Sequence, residues 1–295
     1  CLIYCSLLLW EQVWVYLHPY IRHGIHLQKT NFASTMRYFL VILLLSLGVE
    51  VSAQTFAEQQ LAFERVRVAK SRSDAAVKKL FKDSGLAEPR YIYWRSFKLE
   101  DELELWGSDS SNGTYRLIKT YKICKGSGDL GPKRKFGDMQ VPEGLYFIER
   151  FNPNSNYHLS MKIAYPNESD LILADKENPG NEIYMHGGCA SVGCLPMTDS
   201  TIDEIYWINV LAQSYQGKNA KIPIDIFPCR FNKTNWNYLK MNYSHKPALI
   251  KFWQNIEEAY NFFEEKRIAP GYWVDQKGRY NIVLPQNYHL NDPNH

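Results

Sequence analysis

Residues 56–84 contain strong helix formers without glycine or proline, and Gly85 follows as a stop; the pattern predicts a helix across the domain surface. From Tyr91 the pattern becomes strand-rich. "YIYWRSF", "ELELW" and "TYRLIKTYKI" read as strands, the last alternating through Tyr115, Leu117, Tyr121 and Ile123. The turn formers of residues 107–113 separate the second from the third. "LYFIERF" is a further strand. "YHLSMKIAYP" sets Tyr157, Leu159, Met161, Ile163 and Tyr165 on one face and His158, Ser160 and Lys162 on the other. "EIYMHG" is a strand that ends at His186.

After the cysteines, "TDSTIDEIYWINVLAQSYQG" reads as a helix that Gly217 stops, with Thr201 and Glu204 at capping-box spacing. "KIPIDIF" is a strand whose Pro223 suggests an edge. A helix with aromatic anchors is expected over 247–266, followed by a hairpin in "YWVDQKGRYNI". The organisation expected is an α+β chain: a helix in 54–89, a mainly antiparallel β core in 90–230, and a helical extension in 231–295. Between the third and fourth strands, "KGSGDLGPKRKFGDMQVPEG" is a long glycine-rich loop, either functional or a surface flap. Its Lys133, Arg134 and Lys135 read as a solvated basic run.

Upstream, Met36-Arg37, an apolar run from Tyr38 to Leu47, and Val51-Ser52-Ala53 have the layout of a secretory signal peptide over 36–53. Residues 1–35 are then expected to be an untranslated upstream extension. Export to the periplasm or cell envelope follows, without stable membrane insertion. A formal net charge of +3 with no clustered basic footprint argues against nucleic acid.

The chemistry concentrates in "EIYMHGGCASVGCLPMTD", residues 182–199. Cys124 and Cys229, in strand-like text, read as small buried hydrophobes. Three readings fit the loop. His186, Cys189 and Cys194 could bind zinc, although a second ligand pair is missing. Cys189 and Cys194 could form a disulfide. Cys194 could be a nucleophile with His186 as its base, since only the thiolate reacts. The third accounts for the most residues. Cys194 precedes a predicted helix whose positive end would favour a thiolate, and Gly193 lets N–H groups approach an oxyanion. On that reading Cys194→Ala abolishes activity and Cys189→Ala spares most of it.

The combination "MHG…SVGC" resembles the catalytic segment of the L,D-transpeptidases of the YkuD family, and most closely its YafK-like branch. The similarity extends over roughly 90–230, through "FKLEDELELW", "GPKRKFGDMQVPEGLYFIERFNP" and "NYHLSMKIAYPN". The resemblance implies an L,D-transpeptidase-like β-sandwich or barrel core. It makes Cys194 the nucleophile, His186 the base, and Ser191, Gly193 and Gly187 the support of loop and oxyanion. The chain departs from the pattern at Val192 and Pro196, where many members carry basic or amide side chains. The implied substrates are peptidoglycan stem peptides, attacked at meso-diaminopimelate through a thioester. The acyl group then passes to an amine, or to water in an amidase that detaches diaminopimelate-linked proteins. A wall-binding protein without activity is the alternative from another class. His158 is a candidate for the cleft wall. No cofactor or metal is expected.

Overall fold

The computed structural model describes residues 54–124 and 126–284. The expected signal peptide and upstream extension lie outside the described residues. Where one N-terminal helix is expected there are two, α1 (Phe56–Gln60) and α2 (Glu64–Asp83). Thr55 caps α1 with a complete capping box, and Phe63 has an extended backbone that breaks the run before α2. Along α2, Val66, Ala69, Ser73, Val77 and Phe81 recur every three to four residues and form its buried face.

Eight strands form one mixed sheet. They are β1 (Tyr91–Phe97), β2 (Glu102–Ser108), β3 (Arg116–Lys122), β4 (Gly144–Asn152), β5 (Ser160–Ile163), β6 (Ile183–His186), β7 (Leu195–Pro196) and β8 (Ile222–Phe227). Their spatial order is β3-β2-β1-β8-β4-β5-β6-β7. Pairing is antiparallel except for β1 with β8 and β6 with β7. With the helices around it, this is the expected α+β fold.

The chain also forms α3 (Glu168–Leu173), α4 (Asp199–Gln216), α5 (Lys233–Tyr243), α6 (Pro247–Lys266) and a hairpin of β9 (Gly271–Val274) with β10 (Tyr280–Val283). One apolar cluster joins α2 and α4 to the sheet through Val77, Phe81, Ile202, Ile205 and Ile224. A second joins Phe97, Leu145 and Phe227 to Trp253 and Ile256 of α6. The hairpin and α6 match the sequence pattern, and Pro247 opens α6 at its first turn. Neither α3 nor α5 is anticipated by it.

Three expectations change. β8 is central, not an edge: its pairing with β1 begins only at Ile224, so Pro223 needs no N–H on that side. A bulge at Leu105/Trp106 of β2 shifts the register against β3, and Leu117 turns outward. The cap of α4 is Thr198, whose side chain accepts from Thr201 N–H. Glu204 instead binds Lys119 Nζ and the Tyr121 hydroxyl, both at 2.6 Å. Among the described residues no helix is long and apolar enough to cross a membrane.

Candidate active site

Parallel pairing of β6 with β7 creates the site. Register partners are Met185 with Leu195 and His186 with Pro196. Residues 187–194 therefore leave the end of β6 and return beside it. The return brings Cys194 alongside Tyr184, whose N–H donates to Cys194 Sγ at 3.4 Å. Cys194 and His186 line one cleft of about 420 Å³, together with Tyr157, Tyr184, Ser191 and Val192.

The loop is tied down from several sides. Cys189 is bonded to Cys124, just past the end of β3. This corrects the reading of Cys124 as a free buried hydrophobe, and it removes both Cys189–Cys194 pairing and Cys189 as a zinc ligand. The partners are 65 residues apart in sequence, a closeness no local pattern announces. Cys194 and buried Cys229 remain free thiols. Asp199 accepts from Gly188 N–H at 2.8 Å, and Gly187 N–H donates to the carbonyls of Tyr157 and Leu159. Gly193 has φ +94°, and a Cβ there would sit 3.0 Å from the Gln140 carbonyl oxygen. Arg65 of α2 reaches over to donate to the carbonyls of Ser155 and His158, holding the turn that carries Tyr157.

The imidazole of His186 is 3% exposed and packs on the ring of Tyr157, centroids 4.8 Å apart. Nδ1 lies 2.7 Å from the Gly187 carbonyl oxygen. A carbonyl only accepts, so Nδ1 carries the proton and Nε2 keeps its lone pair. Burial lowers the histidine's pKa from its ordinary 6.5, against the raising effect of the Gly187 contact. Burial likewise raises the Cys194 thiol above its ordinary 9.0, opposed by the Tyr184 N–H and the charge of Lys133. Both shifts disfavour charge, so the resting pair is a neutral thiol and a neutral imidazole.

The expected helix-end effect on Cys194 is not what supports the thiol. β7 intervenes, and the start of α4 is already capped by Thr198. Lys133, whose charge acts on the thiol, is also not solvated. It is 5% exposed and paired with Asp138 at 2.6 Å. Arg134 pairs with Asp170 at 2.8 Å. Asp138 also accepts from the N–H groups of Arg134, Lys135 and Gln140, so the glycine-rich loop is pinned and is not a flap.

Ser191 Oγ accepts from Cys194 N–H at 2.9 Å and donates to Cys194 O at 2.8 Å. Gly193 N–H donates to Ser127 Oγ at 2.6 Å. The two N–H groups expected to face an oxyanion are thus each engaged by a hydroxyl. Ser127 lies in a glycine-rich stretch with no signal of its own, whereas Lys133 stands out in the sequence only as part of a basic run. His158 does not join the cleft: it sits at φ +65°, outside β5, with Nε2 2.5 Å from Asp203 Oδ1.

No family model matches the chain. It is 33% identical over 226 residues to a protein of Escherichia coli (strain K12) named "Putative L,D-transpeptidase YafK", covering 76% of this chain and 85% of that one. The chain belongs to the YafK family. Two solved structures are similar at lower identity. A variant of the helical cell shape determining protein Pgp2 of Campylobacter jejuni is 20% identical, with a TM-score of 0.38, over 59% of each chain. Bd1075 of Bdellovibrio bacteriovorus is 19% identical, with a TM-score of 0.35, over 60% of this chain and 61% of its own. This chain spans about three-fifths of the length of those two proteins.

Proposed function

We propose that this YafK-family chain is an exported cysteine enzyme, an L,D-transpeptidase acting on peptidoglycan stem peptides at meso-diaminopimelate. The observation that carries the reading is the division of labour among the cysteines. Cys189 is bonded to Cys124, which leaves Cys194 as the free thiol in the cleft that also holds His186. The proton of the Cys194 thiol passes to His186 Nε2 as sulfur attacks the carbonyl on the L-centre. The imidazolium then gives that proton to the departing nitrogen, and a thioester remains. An amine acceptor completes transpeptidation; water completes hydrolysis at the same thioester. Ser191 and Gly193 hold the loop, and Gly187 holds the histidine's Nδ1–H.

Export is supported by the Cys124–Cys189 bond, since structural disulfides persist in oxidising compartments such as the periplasm. The test is intact-mass spectrometry after incubation with a carbapenem, a β-lactam that acylates a reactive thiol of this kind. One adduct on the wild type and none on Cys194→Ala is expected. An adduct that persists on Cys194→Ala, or a wild type that stays unmodified, rules out Cys194 as the nucleophile.

A further inference from the structure

His158 lies outside the cleft, but its neighbours on both sides in sequence contact His186 or Gly187. It has φ +65°, a left-handed backbone that costs a residue with a side chain and persists only where the surroundings impose it. Two groups impose it here. Its Nε2 donates to Asp203 Oδ1 at 2.5 Å, since a carboxylate only accepts. Arg65 of α2 donates to its carbonyl at 2.9 Å and to that of Ser155 at 2.5 Å. Asp203 stands on α4 and is 1% exposed, and Arg72 of α2 reaches its other oxygen at 3.2 Å. A buried carboxylate holds such partners firmly, because losing one leaves charge uncompensated in the interior.

The segment fixed at these points bears on the imidazole of His186 from two sides. The ring of Tyr157 packs on it. Tyr157 is 54% exposed while His186 beside it is 3% exposed, so the tyrosine is a cover between the imidazole and water. The backbone on either side of His158 receives Gly187, whose N–H donates to the carbonyls of Tyr157 at 3.0 Å and Leu159 at 3.1 Å. Gly187 is also seated against His158, since a Cβ added there would lie 3.0 Å from His158 Cβ. The Gly187 carbonyl is the group that takes the Nδ1–H of His186. Displacing residues 155–158 therefore loosens the acceptor that fixes the tautomer and lets water reach the ring.

We propose that His158 is a positioning residue, which through Asp203 locks Tyr157 and Gly187 around His186 and ties the orientation of the base to α2 and α4. The inference rests on the reading of His186 as the base. His158 touches neither sulfur nor substrate in this role; it acts by holding the turn. The titratable groups that line the cleft with His186 are Cys194, Tyr157 and Tyr184, and Asp199 lies beside it on the Gly188 N–H. The variants that test the role keep all of them.

Single-turnover acylation by a carbapenem from pH 4 to 8 reads two quantities, the plateau rate and the position of the acid limb. Thermal melts check folding. His158→Asn tolerates the left-handed backbone but is too short to reach Asp203. Its plateau rate should fall about tenfold, within the roughly hundredfold that a misplaced group can cost. Its acid limb should move up toward the ordinary 6.5, because burial is what lowers the His186 pKa and the displaced turn admits water. His158→Gln carries an amide N–H near the place of Nε2 and should recover most of the rate and the wild-type limb. Arg65→Met changes an exposed side chain, removes the bonds to Ser155 and His158, and should show both effects, the rate by about threefold. A wild-type rate and limb in folded His158→Asn, or in Arg65→Met should His158→Asn not fold, overturn the positioning role and leave His186 as the base. Equal losses in His158→Asn and His158→Gln with an unmoved limb also overturn it, because they report only a weakened structure. If His186→Gln acylates at the wild-type rate, the base reading falls and the positioning role with it.

Discussion

Replacing both Cys124 and Cys189 by serine separates the structural cysteines from the reactive one. The bond closes a loop over a sequence separation of 65 residues. The chain-entropy relation for a loop of this length gives about 14 cal/mol/K lost from the unfolded chain, or roughly 4 kcal/mol at room temperature. At about 2–4 °C per kcal/mol for a domain of this size, the melting temperature should fall by about 8–16 °C. Losing the tie also frees residues 187–193 at Cys189, while the Gly188–Asp199 and Gly187–Tyr157 bonds remain. The site should therefore survive below the new melting temperature. Carbapenem acylation of Cys194, followed by intact mass at 15 °C, should be slower than wild type by no more than about tenfold, a loss of about 1.4 kcal/mol. Urea unfolding with and without reductant measures the stability change on the same protein. An unchanged melting temperature would show that the two sulfurs are not bonded in solution. Complete loss of acylation in the folded variant would falsify the division of roles, because it would mean that the cysteines act together in the chemistry.

Other consequences can be checked on the same protein. His186→Gln should remove most carbapenem acylation, and the wild-type rate should show an acid limb centred below the ordinary histidine value of 6.5, because burial lowers this pKa and the neutral ring is the active base; single-turnover rates from pH 4 to 8 test both. Gly193→Ala should lower acylation and cost about 1–3 kcal/mol in urea unfolding, since the added Cβ meets the Gln140 carbonyl in a left-handed backbone. Buried Asp225 has its pKa pushed up to about 7 by desolvation, opposed by the Tyr93 hydroxyl and Arg95. A raised carboxyl contributes stability fully present below the unfolded value near 3.8 and lost as pH climbs through about 7. The shift corresponds to about 4 kcal/mol. Asp225→Asn should flatten the decline in urea midpoint between pH 4 and 7, and a parallel decline in both proteins would refute the assignment.

What the sequence determined by itself is what depends on neighbours along the chain. The strand-rich text of β1, β2 and β4, the apolar stripe of α2 and the proline-opened start of α6 are short-range patterns, and each appears close to where the local sequence sets it. The candidate pair was legible for the same reason: His186 and Cys194 lie in one short loop, between a strand and a helix that each announce themselves. Tertiary structure decided which cysteine is free, because Cys124 and Cys189 are brought together by the sheet order and not by spacing. It also drew His158 to Asp203 on α4, buried Lys133 against Asp138, and placed β8 at the centre of the sheet despite Pro223. Each of these depends on which distant group fills the space beside a side chain. A polar side chain goes to the partner that best offsets its desolvation, and that partner is set by packing between elements far apart in sequence.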